Sequence, residues 1–452
     1  MSSPSPSTTS PNLPGLRRTL TLWDLILYGV IIIQPTAPMG VFGVLSEKGR
    51  GHVVTTILIA MVAMLFTAMS YGRMAGAYPS AGSAFTYVGR ELHPAAGYIA
   101  GWSMVMDYIL NPMICIIWCS KAAINFAPNV PYPVWAVFFF LCFTLLNLRG
   151  IKASARINTL LAALMGVVIA IFFVAAARYI FGQHMSAADY TRPFFDPLTF
   201  NTTAVLGGTS IAVLAYIGFD GISTLSEEVE NPRRNIYLAT VWTCVVIGLL
   251  SAVEVYVAQL IWPASQPFPD VDTAFVHVAG RAAGLWFFAV MNLTLLIANF
   301  GSGMGAQLGA ARLLFGMGRS NALPRSFFGA VDSVRRVPRN NVILVGVIAL
   351  VGAFSISYER GAELLNFGAL IAFMGVNLAA FMHYWVRSEH KRMTHFFPPL
   401  LGFVICLLLW VNLSWPAKIA GSIWMLLGIA YGAWRTRGFQ ADLVNFDIPA
   451  ED

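Results

Sequence analysis

Three carboxylates and one proline-rich interruption are the features of this chain with chemistry to offer, because each lies inside a long apolar run. A charged group at mid-bilayer costs at least about 2.5–3.5 kcal/mol on insertion scales, so each acid in such a run needs a reason. Asp107 lies about twelve residues into its run; it is a counter-ion for a substrate ammonium or a hydrogen-bonded brace for Tyr108 or a neighbouring helix. Asp220 follows Tyr216, Gly218 and Phe219. It can bind an amine, take up a coupling proton, or cap the helix that starts there. Glu254 is either a proton site or amine partner, or the mate of polar groups on an adjacent helix. The interruption is Gln34-Pro35-Thr36-Ala37-Pro38-Met39-Gly40, with apolar sequence on both sides. Its two prolines delete two N–H donors and clash with the preceding turn. Such a break survives at membrane depth only where protein or a water-filled cavity surrounds it, so it points to a central binding cavity.

The elements that position these residues follow from composition. Hydrophobic residues make up 57% and charged residues 11% of the 452-residue chain, and the mean hydropathy is +0.69. A soluble chain carries about 25% charged residues. The apolar runs repeat at close to the roughly 20 residues that cross a bilayer, which makes this an all-α polytopic membrane protein. Twelve spans are expected, at 22–45, 53–73, 95–126, 133–149, 155–181, 203–226, 236–262, 283–316, 341–358, 362–385, 395–414 and 417–434. Of the 28 Lys and Arg residues, 20 fall on the side that holds the N-terminus, the even-numbered connections and the C-terminus. By the positive-inside rule both termini are expected in the cytoplasm. Attraction to the inner leaflet explains the net charge of +7 without nucleic acid.

Residues 1–20 are expected to be a disordered cytoplasmic start and 436–452 a cytoplasmic tail. The five cysteines all fall within expected spans; Cys115 and Cys119 are one turn apart, but no His or further Cys completes a metal set. No nucleotide-binding loop pattern, nucleophile–base pair or ligand spacing is found. The chain is expected to use no cofactor or metal, and neither an enzyme nor an ATP-driven pump is indicated.

The sixth span repeats the oddity of the first, since Ala215-Tyr216-Ile217-Gly218-Phe219-Asp220-Gly221 places two glycines and an acid in mid-membrane. Two interrupted helices, each opening one half of a ten-helix core, point to an inverted-repeat transporter. The core is expected over 21–385, with repeats at about 21–181 and 203–385 and two peripheral helices over 386–435. Asn299 and Ser302, on one face of the eighth span among Gly301, Gly303 and Gly305, are either close-packing residues or part of an ion site. Glu227 and Glu228 beside Arg233 and Arg234 are either a cytoplasmic gate or a solvated charge cluster. Tyr216 and Phe219 either stack on a cation or pack in the core.

Several stretches resemble the amino acid–polyamine–organocation superfamily of permeases. Tyr216-Ile217-Gly218-Phe219-Asp220 followed by Glu227-Glu228-Val229-Glu230-Asn231-Pro232-Arg233-Arg234 is similar to its glycine-phenylalanine-acid, paired-glutamate and asparagine-proline-basic pattern. The loop Tyr78-Pro79-Ser80-Ala81-Gly82-Ser83-Ala84-Phe85-Thr86-Tyr87 and the helix entry Gly97-Tyr98-Ile99-Ala100-Gly101-Trp102 match two further signatures, in order. The likeness covers roughly residues 17–435. Leu365-Asn366-Phe367-Gly368-Ala369-Leu370, Trp410-Val411-Asn412-Leu413 and Trp102 to Pro112 resemble the bacterial putrescine importers most. The resemblance implies a LeuT-like arrangement of five plus five helices with the first and sixth broken. It also implies a secondary permease for an amino acid or small amine, proton-coupled, in a bacterial inner membrane. Its partners are then a small-molecule substrate, a coupling ion and the lipid bilayer. A sodium-coupled or exchanging permease and a non-transporting nutrient sensor on the same scaffold are the alternatives.

Three departures bear on the substrate. Many amino-acid permeases of the superfamily carry a glycine-serine-glycine-like sequence at the first break, whose bare N–H groups hold a carboxylate. Here Gln34 to Gly40 stand in that place; Thr36, Ala37, Met39 and Gly40 keep N–H groups, but Pro35 and Pro38 have none. The putrescine importers carry an acid near this break, and the matching position is Gly40. Glu254 has no counterpart in the pattern. Amines and amino acids are therefore expected as a class, with putrescine-like amines leading.

Overall fold

The computed structural model describes residues 20–79, 83–150, 155–226, 229–319, 323–332, 335 and 337–438. Residues 1–19 of the expected disordered start (1–20), 439–452 of the expected tail (436–452), Ser80 to Gly82 of the first loop motif, and Glu227 and Glu228 lie outside the described residues. In chain order the α-helices are α1 (Leu22–Ile33), α2 (Ala37–Lys48), α3 (Val53–Ala77), α4 (Ser83–Glu91), α5 (Pro94–Phe126), α6 (Tyr132–Leu148), α7 (Ala155–Phe181), α8 (Ala187–Thr191) and α9 (Thr202–Ala212). They continue with α10 (Pro232–Ile261), α11 (Ala274–Ala283), α12 (Leu285–Arg319), α13 (Arg325–Phe328), α14 (Arg339–Ser355), α15 (Tyr358–Phe381), α16 (Met393–Val411) and α17 (Trp415–Arg435). Among the described residues the only β pairing is an isolated bridge, Leu20 with Val229.

Seven helices are long and apolar enough to cross a membrane, and α1 with α2 makes an eighth as one bent span. The shorter apolar helices α6, α9 with its extension to Ala215, and α14 stand at three further expected positions. The 21-residue α17 stands at the last. Buried apolar side chains form one large core cluster through the bundle. α3 packs along α10, and α5 packs along both α12 and α15. α17 lies against α5 and α15, where Trp424 stacks on Trp102 at 4.9 Å.

The first break forms where the sequence requires it. Thr21 and Asp24 make a reciprocal capping box that starts α1. The helix stops at Gln34, which takes φ 69°, and α1 and α2 diverge by 47°. Pro38 falls in the first turn of α2, where its missing N–H had no intrahelical partner to lose. One proline thus ends a helix and the other begins one. Gly43 then lets α2 press on the connection before α11, since a Cβ there would meet the Val271 carbonyl oxygen at 2.0 Å.

The sixth span departs from two matched half-helices. α9 tightens into a 3₁₀ turn at Val213–Ala215, breaks over Tyr216 to Gly218, and resumes as a 3₁₀ helix, Phe219–Leu225. Gly218 has φ 120°, and a Cβ on it would lie 2.7 Å from Ile32 Cγ2. The two breaks therefore meet, and Gly218 is the residue that permits it.

Candidate functional site

A cavity of about 820 Å³ lies between the breaks. Its wall includes Tyr28, Gln34 and Pro35 of the first break, Asp107, Tyr108 and Asn111 of α5, Gly218, Asp220 and Gly221 of the second, and Ser302 of α12. It reaches Asn147 and Arg312, toward the ends of α6 and α12 that lead into the basic connections. A smaller cavity of about 110 Å³ adjoins it beyond the first break. Thr36, Gly40, Cys115, Asn299 and Tyr358 line that one, and Gln34, Asn111, Ile217 and Ser302 border both.

The structure brings Asp107 and Asp220 to one cavity. Their surroundings differ. Asp220 opens the 3₁₀ helix beside the backbone N–H groups of Gly218, Gly221 and its own residue, and faces the cavity. Asp107 is buried, and no described residue donates to its carboxyl group. Asp107 thus faces the cavity beside Asp220 with no donor among the described residues.

The other expected residues separate. Gln34 donates from Nε2 to the Ala298 carbonyl at 3.1 Å, which ties the first break to α12. Thr36, Gly40, Asn299 and Ser302 share the smaller cavity. Met39 is buried and lines neither cavity. The Tyr216 hydroxyl donates to the Ile57 carbonyl at 2.9 Å, and Phe219 packs against Tyr71 and Phe373. Both rings therefore sit in the core, behind the backbone that forms the cavity wall. Glu254 is fully buried in α10, lines neither cavity, and has no hydrogen-bond partner for either oxygen among the described residues. Arg233 and Arg234 are exposed and make no ion pair among the described residues, while Glu227 and Glu228 lie outside them.

Sequence reasoning missed Asn111, Cys115, Tyr28 and Tyr358. Asn111 and Cys115 had a usable signal, since they follow Asp107 by one and two helical turns on the same face. It also missed the ion pairs beyond the smaller cavity. Lys48 at the end of α2 binds Glu359 and Glu363 of α15 at 2.7 and 2.9 Å. Lys121 near the end of α5 binds Asp270 at 3.0 Å and lies 3.9 Å from Asp272. At the opposite end, Glu91 of α4 is buried among Tyr78, His383 at 2.6 Å and Arg387 at 2.9 Å. Ion pairs thus stand at both ends of the bundle, and the larger cavity reaches toward the ends of α6 and α12.

Asp272 belongs to the connection between α10 and α11. Burial, with the neighbouring Asp270 adding to it, pushes its carboxyl up to about 6 against the pull of Lys121. A folded-state value above the ordinary 3.8 means the folded protein holds this proton more tightly than the unfolded chain. The stability it contributes is fully present below the ordinary value and lost as pH rises through about 6. Asp272→Asn is expected to flatten that part of the stability–pH curve in thermal melts; an unchanged slope would rule the assignment out.

The comparisons with known proteins agree with this architecture. Residues 35–446 match the family model described as Amino acid permease. The chain is 35% identical to the low-affinity putrescine importer PlaP of Escherichia coli strain K12, over 96% of each chain. It is 23% identical to the branched-chain amino acid permease BcaP of Bacillus subtilis strain 168, over 92% of each chain. With the vacuolar cationic amino acid transporter 4 of Arabidopsis thaliana it shares 25% identity, over 83% of this chain and 64% of the relative. A match across nearly the whole chain, on a bundle of membrane-length helices with a broken first span, places it: the chain belongs to the amino acid permease family of the amino acid–polyamine–organocation superfamily, and is an integral membrane transporter rather than an enzyme.

Proposed function

We propose that the chain is a secondary permease that carries amino acids or small amines, putrescine-like amines among them, by alternating access coupled to protons. The observation that carries this reading is Asp107, a buried carboxyl without a donor among the described residues, facing the same cavity as Asp220 between two helix breaks. An ammonium group satisfies both acids, and a cation held there is shielded from lipid by protein on every side. The similarity to a putrescine importer and to amino-acid permeases supports the same substrate class. In this reading twelve spans cross a bacterial inner membrane with both termini cytoplasmic. The repeats of about 21–181 and 203–385 form an inverted core, and the segment 386–435 is peripheral. The ion pairs of Lys48 and Lys121 then hold the outer end shut in an inward-facing arrangement.

The test is uptake by purified protein in proteoliposomes, with a thermal-shift screen of amines and amino acids to find the ligand. A ligand at 100 times its dissociation constant stabilises the fold by about 2.7 kcal/mol, well within reach of a melt. Uptake is expected to need an inward proton gradient and to collapse with a protonophore. Sodium dependence without a proton effect would overturn the coupling, and a screen in which no amine or amino acid binds or moves would overturn the assignment.

A further inference from the structure

A third cavity, of about 360 Å³, lies apart from the two between the breaks and shares no described lining residue with them. Its wall is Leu148 at the end of α6, Arg339 at the start of α14, and Asp332, Arg335 and Val337 of the connection that leads into α14. Arg335 and Arg339 are exposed. Arg335 donates from Nη1 to the Leu148 carbonyl at 3.4 Å, which uses one of the five N–H donors of a guanidinium. The Arg339 guanidinium has no acceptor among the described residues. Asp332 is the one acid among the described residues of the wall, and its Oδ1 accepts from the Arg335 backbone N–H at 2.8 Å. The N-cap of α14 is Pro338, which has no side chain to cap the first N–H groups. The positive end of that helix adds to the field of the two arginines.

Two exposed arginines alone would be an ordinary solvated patch. What distinguishes them is the surface that leads away from them. Gly346 of α14 meets α6 closely, since a Cβ there would lie 2.6 Å from Thr144 Oγ1 and 3.0 Å from Phe140 Cε2. The two helices run antiparallel. Leu148 at the end of α6 stands with Arg339 at the start of α14. At the other end, the Tyr132 hydroxyl at the start of α6 donates to the Ala353 carbonyl of α14 at 2.8 Å.

Each residue of a helix is turned about 100° from the one before it. In an antiparallel pair, the residue after a contact residue therefore turns to the same side on both helices. On α6 these residues are Leu141 and Leu145, after Phe140 and Thr144. On α14 it is Val347, after Gly346, with Ile343 one turn before it. All four are exposed apolar side chains. Leu145 lies one turn from Leu148, and Ile343 one turn from Arg339. An apolar groove thus begins at the arginines and runs along two neighbouring helices of an integral membrane protein, where exposed apolar groups face acyl chains.

We infer that this groove binds one anionic phospholipid, with the headgroup phosphate on Arg335 and Arg339 and an acyl chain along Leu145, Leu141, Ile343 and Val347. The guanidinium fork matches phosphate oxygens in pairs, and basic pockets between membrane helices hold anionic headgroups in the same way. Free phosphate would use the arginines and leave the apolar groove unfilled. A zwitterionic lipid would fill the groove but bring its own cation to the arginines. The site is independent of the substrate, so it stands or falls apart from the permease reading.

The experiment titrates the full-length protein in detergent micelles with phosphatidylglycerol, with phosphatidylcholine of the same acyl chains, and with inorganic phosphate. Thermal melts and native mass spectrometry of retained lipid are the readouts. Phosphatidylglycerol is expected to raise the melting temperature and to be retained in preference to phosphatidylcholine, and inorganic phosphate at the same concentration to do neither. Arg335→Gln and Arg339→Gln are each expected to weaken phosphatidylglycerol retention about fivefold, and together about 25-fold, while phosphatidylcholine retention stays as it was. The single variants keep the test decisive even where the double variant is less stable without lipid. Equal retention of the two lipids, or phosphatidylglycerol retention unmoved by any of these variants, overturns the inference. Stabilisation by inorganic phosphate equal to that by phosphatidylglycerol makes this a site for a free anion and overturns the lipid assignment.

Discussion

Asp107→Asn is expected to reduce uptake of a cationic substrate at least about 100-fold while leaving insertion and helical content intact, since breaking a buried charge pair by removing one partner costs about 3–5 kcal/mol. The size of the effect follows from the contrast with Asp220. Asp220 stands at the start of the 3₁₀ helix with backbone N–H groups beside it, so its charge also bears on the fold, and Asp220→Asn would disturb both roles together. Asp107 has no donor among the described residues, so on the proposed reading its charge is left for the ligand. Removing that charge also removes a burden on the apo protein, because an amide is cheaper than a carboxylate at that depth. Uptake and stability are therefore expected to move apart, with transport lost and the melting temperature unchanged or higher. Normal uptake by the variant would take Asp107 out of the site. Parallel loss of uptake and of helical content would make it a structural residue.

That contrast marks what the sequence could disclose. Prolines at 35 and 38 and glycines at 218 and 221 announce two helix breaks because their effect on the backbone is local, and the structure has both. Asp107 and Asp220 stood out because a carboxyl inside an apolar run is costly wherever the run folds. Which way a side chain points is another matter. The 3₁₀ geometry of Phe219–Leu225 turns Phe219 into the core, and a break that leaves the helical period gives no rule for predicting this. Glu254 belongs to a regular helix but faces away from both cavities, and its apolar neighbours in sequence do not reveal which face of α10 is which. Tyr358 is a large residue in apolar surroundings, where packing is the ordinary expectation. The pair Lys48–Glu359 joins residues 311 positions apart, and no local pattern encodes such a meeting.

The ion pairs of Lys48 carry the second large expectation, and it turns on an asymmetry of burial. Glu363 has a side chain 2% exposed, against 30% for Lys48. Its carboxylate is held by Lys48 at 2.9 Å and by the Ser414 hydroxyl. Lys48→Ala leaves a buried carboxylate with one neutral donor, and is expected to cost about 3 kcal/mol. Glu359 is 40% exposed, so Glu359→Gln removes a largely solvated pair and is expected to cost less than about 1 kcal/mol. The double change Lys48→Ala with Glu363→Gln strands no charge, and is expected to recover most of what Lys48→Ala loses. Unfolding of the purified variants measures all three, and equal losses in the single and double changes would show that the pair contributes nothing through burial of charge. The same variants report on closure. With Thr36→Cys as a probe in the smaller cavity, an impermeant thiol reagent added outside is expected to label the parent slowly and Lys48→Ala several times faster. Labelling unaffected by Lys48→Ala would mean that packing, and not this charge pair, keeps the outer end shut.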